Sequence, residues 1–190
     1  VLGTGLGKQR IRWESVGSTR GRVVLEDQGG HHRKLKGHLM PAEPATVEFP
    51  TRAYEVLLPD LEPCSTVRYR LEPWNRRGFP YQFKTPPRPG ELCPGKNRFV
   101  VYGDSRKEFE THRRLMPGLK KSKPHLAVNV GDLVYRARDV DEWPVHFDIE
   151  RGFLGNTLIA MVPGNHDATG NRPLGGAMLR RYFAVDGVGG

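Results

Sequence analysis

Three short blocks place oxygen and imidazole side chains at matching points of the chain: Gly103-Asp104-Ser105-Arg106, Gly131-Asp132-Leu133-Val134-Tyr135 and Gly164-Asn165-His166-Asp167. Each follows an apolar, β-prone run: Arg98 to Tyr102, Leu126 to Val130 and Thr157 to Val162. Parallel strands buried on both faces read as such runs. In open α/β sheets, ligands sit beyond the carboxyl ends of the strands. If the three runs are parallel strands, Asp104, Asp132, Asn165 and His166 converge on one rim. Oxygen and imidazole donors that converge on one point are the chemistry of a metal site. A Gly-Asp after a strand is also the signature of a turn followed by a helix N-cap. The order of the blocks and the strand before each carry more weight than any single pair.

The segments between the blocks must return the chain to the start of the next strand. Glu108 to Lys123 carries His112, Leu115, Met116 and Leu119 at helical spacing, with Pro117 inside it, which predicts a kink or an early end. Asp139 to Gly152 puts Val140, Trp143 and Phe147 on one face and acids at its start, as a helix N-terminus prefers. The pattern is β-α-β-α-β with right-handed crossovers.

The three blocks resemble the first signatures of the calcineurin-like metallophosphoesterases and, within them, the purple acid phosphatases. That family places an Asp after the first strand, Gly-Asp-x-x-Tyr after the second and Gly-Asn-His-Asp/Glu after the third. The second and third blocks match in full. The first departs, since Asp104 is followed by Ser105 and Arg106 where purple acid phosphatases have Asp-x-Gly and other members Asp-x-His. This points to a bacterial-type relative.

The resemblance implies two metal ions, iron with zinc, manganese or a second iron. Asp104 and Tyr135 would bind the first, Asp132 would bridge both and Asn165 would bind the second. His166 would face the leaving group as proton donor or charge stabiliser rather than ligate. Two cations about 3.5–4 Å apart neutralise an anionic phosphate ester and clamp the attacking and leaving oxygens in line. Taken alone, Tyr135 also fits a packing residue at the rim, and His166 a hydrogen-bonded loop histidine. Arg106 suits bidentate contact with a substrate phosphate; a surface ion pair with an acid of the first helix suits it equally. His112 reads as a helix-face residue rather than a replacement ligand.

The first ninety residues read as a separate β-sandwich. Ile11 to Trp13, Arg22 to Leu25, Ala53 to Leu58, Val67 to Leu71 and Tyr81 to Lys84 are short strand candidates bounded by Gly, Pro and Asp. Leu61-Glu62-Pro63 followed by Tyr69 resembles the corner of fibronectin type III domains, where a tyrosine hydroxyl ties the turn to its strand. Phe83-Lys84-Thr85-Pro86-Pro87 resembles that domain's last strand and exit. The expected organisation is therefore a fibronectin type III-like β-sandwich over 1–87, a semi-rigid proline-rich linker over 88–96 and the N-terminal half of an α/β metallophosphoesterase domain over 97–190. In such a sandwich Cys64 and Cys93 lie near one pole, so a bridge is geometrically open to them, as are two free thiols. A bridge would indicate an exported protein, extracellular or periplasmic.

The formal net charge is +9. Most of the excess lies in residues 1–90, which hold 15 basic and 9 acidic residues spread over strands and turns. Arg33 to Lys36, beside His31 and His32, is the tightest basic patch, and no nucleic-acid motif accompanies it. No apolar run reaches the length of a membrane span. Oligomeric state leaves no mark in the sequence. The family completes its site with later histidine motifs, and this chain has no histidine after His166. With no initiator Met either, it reads as a piece open at both ends, expected to be inactive in isolation. The function expected of the whole protein is hydrolysis of phosphate monoesters. The competing reading is a sandwich-bearing surface module whose phosphoesterase domain has lost activity.

Overall fold

The computed structural model describes residues 2–3, 9–17, 21–41, 51–73, 80–137, 139–168 and 172–183. The chain end at 184–190 lies outside them. Eight strands come first: β1 (Leu2–Gly3), β2 (Gln9–Ser15), β3 (Arg22–Glu26), β4 (His32–Lys36), β5 (His38–Leu39), β6 (Arg52–Leu57), β7 (Thr66–Glu72) and β8 (Tyr81–Lys84). The five strand candidates of the sequence all fall on strands. In β7, buried Val67 and Tyr69 alternate with exposed Thr66 and Arg68, the period-2 pattern of a strand with one wet face. One antiparallel sheet runs in the order β4-β3-β7-β8, while β2 pairs antiparallel with β6, with β5 beyond it. Ile11 and Val56 of the second layer pack against Val23, Leu25, Val67 and Phe83 of the first, so the core of this part lies between two sheets.

Then follow β9 (Phe99–Tyr102), α1 (Phe109–Ser122), β10 (Leu126–Asn129), α2 (Glu142–Leu154), β11 (Leu158–Met161), α3 (Asn165–Ala168) and α4 (Arg172–Tyr182). β10 pairs parallel with both β9 and β11, so all three strands deliver their following loops to one edge. Met116 and Leu119 of α1, Trp143 and Phe153 of α2 and Met178 and Leu179 of α4 form one core with Ala127 and Ile159 of the sheet. Two expectations need correction. Helix α1 does not end at Pro117 but continues to Ser122; Pro117 is exposed, so water can satisfy the carbonyl it frees. The edge strand β9 is not buried on both faces either. Its Phe99 and Val101 are 69% and 57% exposed, because among the described residues the helices cover only its other face.

The two parts are not beads on a spacer. β1 pairs antiparallel with β2 and parallel with β11, which fuses them into one sheet of order β5-β6-β2-β1-β11-β10-β9. Leu158 of β11 is buried in the core between the two sheets, and Leu126 of β10 packs against it. The Gln82 amide donates to Asn156 Oδ1 at 2.9 Å, and buried Arg181 pairs with Glu14 at 2.8 Å. Tyr69 corrects a further expectation. Its hydroxyl does not tie back to the Leu61-Glu62-Pro63 turn; it donates to the Gly155 carbonyl, 2.8 Å away at the end of α2. The Ser65 and Thr85 hydroxyls hold the turn instead, both donating to the Glu62 carbonyl at 2.7 Å.

Cys64 and Cys93 form a disulfide, with Cα atoms 5.4 Å apart, and the bridge pins the proline-rich segment to the start of β7. It closes a loop with a sequence separation of 29 residues. Loop-closure entropy for that length amounts to about 3–4 kcal/mol. Cys93→Ser should therefore lower the urea-unfolding free energy by about that amount, and reduction of the wild type should reproduce the loss.

Candidate active site

The three loops meet through their backbones. Asp104 N–H donates to the Gly131 carbonyl at 2.9 Å, and Arg106 N–H to the Asp132 carbonyl at 3.0 Å. Gly131 and Gly164 are where the second and third loops touch. A Cβ on Gly131 would run into the Gly164 nitrogen, and one on Gly164 into the Asp132 carboxylate. Gly131 also sits at φ +91°, which side chains rarely adopt. Asp104 and Asp132 are themselves left-handed, at φ 56° and 55°. Such conformations cluster where the surroundings over-determine a functional loop.

Asp167 is the latch. It is fully buried. Its Oδ2 accepts from the Asp132 and Gly164 amides at 2.6 and 3.0 Å, and its Oδ1 from Leu133 N–H at 3.0 Å. Burial pushes its carboxyl above the ordinary range, against the opposing pull of these backbone donors. The sequence reading placed Asp167 in the third block without giving it a task.

Asp104 and Asp132 come together around one positive charge. Arg106 Nε lies 2.8 Å from Asp104 Oδ1, and its NH2 group donates to Asp132 Oδ2 at 2.7 Å. That hydrogen bond to Asp132, followed by the nearby charges, raises the guanidinium pKa still further. Arg106 therefore pairs with two candidate ligands and not with an acid of the first helix. Asp132 Oδ1 accepts the His166 backbone N–H at 2.9 Å, and Asn165 opens α3 beside it.

His166 Nδ1 lies 2.7 Å from the Tyr135 carbonyl. A carbonyl only accepts, so Nδ1 carries the proton and Nε2 is left for other work. The Tyr135 ring lies 5.2 Å from the His166 ring, with Lys107 Nζ 5.1 Å from the Tyr135 centroid. The Tyr135 amide donates to Glu142 Oε2 at 2.7 Å, and Glu142 Oε1 pairs with Lys107 at 3.1 Å. Glu142 thus holds the second loop to the start of α2, a role the sequence reading missed because Glu142 looked like one more helix-start acid. His31 and His32 pair with Asp27 and Glu26 on the β3–β4 hairpin.

Residues 97–187 match the family model described as calcineurin-like phosphoesterase. Over that stretch the chain is similar to the calcineurin-like phosphoesterases. Phosphoester hydrolysis is the chemistry of that family. The phosphoesterase stretch holds all three loops and the latch between them. A purple acid phosphatase isolated from yellow lupin (Lupinus luteus) seeds shares the fold, with a TM-score of 0.73 at 17% identity over 94% of this chain and 38% of that one. The chain thus spans less than half the length of the lupin enzyme. A comparison with curated protein sequences finds no match. A cavity of about 380 Å³ lies between the N-terminal strands and helices α2 and α4, lined by Trp13, Tyr69, Phe147 and Tyr182 among others and by none of the rim residues.

Proposed function

We propose that the whole protein hydrolyses phosphate monoesters at this rim, as an acid phosphatase-like hydrolase with two bound metal ions. The observation that supports the reading is the shared guanidinium. Two carboxylates at the ends of parallel strands close around one cation, Arg106, and the Asn165 side chain stands on the adjoining loop. Carboxylate and amide oxygens are hard donors that suit Mg-, Mn- and Fe-type ions, so the residues fit the group. Asp104 and Tyr135 would hold the first ion, Asp132 both and Asn165 the second, with iron paired to zinc, manganese or iron. Bound there, the ions would supply charge neutralisation and Lewis acidity toward phosphate oxygens.

The chain's own residues would do the rest. Arg106 would release the carboxylates and turn its fork to the substrate phosphate, a geometry guanidinium suits. His166, oriented by the Tyr135 carbonyl, would hold a proton on Nε2 and pass it to the leaving-group oxygen. The first eight strands would form a fibronectin type III-like spacer or docking module without chemistry. The Cys64–Cys93 bridge supports an extracellular or periplasmic location, since such bonds persist in oxidising compartments.

His166→Ala in the whole protein tests the reading. It should lower kcat for an aryl phosphate by roughly 10²–10⁴ while metal stoichiometry stays unchanged. Loss of metal would make His166 a ligand. Unchanged kcat would remove it from the reaction, whereas a wild type without turnover would favour the binding-module reading.

A further inference from the structure

Behind the rim, three side chains meet in the interface between α1 and α2. His112 comes from α1, and His146 and Glu150 stand at i and i+4 on α2, one helical turn apart and on one face. All three are buried, His146 at 1% and Glu150 at 0% exposure. His112 Nε2 lies 2.9 Å from Glu150 Oε1, and His146 Nε2 lies 3.6 Å from the same oxygen. One donor atom from each of the three falls within 4.8 Å of the others. The Tyr102 hydroxyl occupies the remaining carboxylate oxygen, donating to Glu150 Oε2 at 2.8 Å.

The arrangement is incomplete as hydrogen bonding. Neither ring nitrogen of His146 has a hydrogen-bond partner among the described residues, although the ring is sealed in the core. A buried polar group left unpaired costs about 1–3 kcal/mol. A buried carboxylate is stable only beside positive charge or a full set of donors. One cation between the three side chains answers both needs. Ligands around a tetrahedral zinc ion, each 2.0–2.2 Å from it, stand about 3.4 Å apart. The spacings of Glu150 Oε1 from the two imidazoles straddle that figure.

We propose that His112, His146 and Glu150 form a buried site for a divalent transition-metal ion of the zinc type, distinct from the rim. Two imidazoles and one carboxylate select such an ion over magnesium or calcium. On binding, His112 would take the neutral tautomer with its proton on Nδ1, so that Nε2 turns from hydrogen-bond donor to ligand. An imidazole ligates through an unprotonated ring nitrogen, and neither His146 ring nitrogen is engaged in a hydrogen bond that binding would have to break. The site is closed to substrate, so its work is structural. It would bolt α1 to α2. Through Glu150 and Tyr102, the last residue of β9, it would also fix the strand end that presents Asp104.

The test uses the 190-residue chain stripped with chelator, alongside an Asp104→Asn/Asp132→Asn variant that disables the rim and His146→Phe, which removes one ligand and refills its space. Titration with Co²⁺ should give intense visible d–d bands at one equivalent in the wild type and in the rim variant, and none in His146→Phe. Zn²⁺ at about 100 times its Kd should raise Tm by roughly 5–10 °C in the first two and not in the third. If circular dichroism shows His146→Phe unfolded, Glu150→Gln takes its place, since it keeps the polar shape and loses the charge; it should weaken Co²⁺ binding by roughly a hundredfold or more. Bands and Tm shift that survive in the folded ligand variant overturn the proposal, as does their absence from the rim variant. Failure of metal binding at the rim leaves these readouts unchanged, so the two readings fall separately.

Discussion

Asp132→Asn in the whole protein should lower kcat/KM for an aryl phosphate by roughly a thousandfold or more, about 4 kcal/mol of transition-state stabilisation. Asp132 is the group on which the rim converges. One of its oxygens takes the Arg106 guanidinium and the other the His166 amide. Asparagine keeps an oxygen for the His166 amide and removes the charge, so the loop should hold its shape while its grip on a cation fails. Metal content should drop along with turnover, and the circular dichroism spectrum should match the wild type. Turnover within tenfold of the wild type would take Asp132 out of the metal site.

Asp167→Ala should be the most destabilising single change in the phosphoesterase stretch, at about 3–5 kcal/mol. The lost carboxylate leaves three backbone N–H groups, those of Asp132, Leu133 and Gly164, without an acceptor in a buried place. Those bonds clip the second loop to the third, so both loops should loosen together. Urea unfolding measures the loss, and hydrogen exchange at these three amides should accelerate. A loss under about 1 kcal/mol would show that water enters and replaces the latch.

What the sequence disclosed follows from locality. The strands of the parallel set are continuous apolar runs, and the Gly-Asp and Gly-Asn-His-Asp blocks stand directly after them, so the rim could be assembled from neighbouring residues. What it concealed depends on pairs far apart in the chain. β1 is two residues long, and nothing in Leu2 and Gly3 announces that they join two sheets. Tyr69 was given a partner a few residues upstream; its actual acceptor, Gly155, is 86 residues away. His112 read as a helix-face residue because its companions sit on another helix. The spacing His146 to Glu150 was a readable signal, a metal-capable pair one turn apart, but it lay inside a helix read only for its apolar face. Cys64 and Cys93 were open to pairing on geometry, and the bridge exists.

The most direct test of the central claim is turnover of an aryl phosphate by the whole protein before and after chelation, with metal content measured on the same samples. Removing the metal should abolish hydrolysis, and iron, with zinc or manganese, should restore it in proportion to the metal rebound. Hydrolysis that persists in metal-free protein would contradict it, as would a fully metal-loaded protein that turns over no phosphate ester.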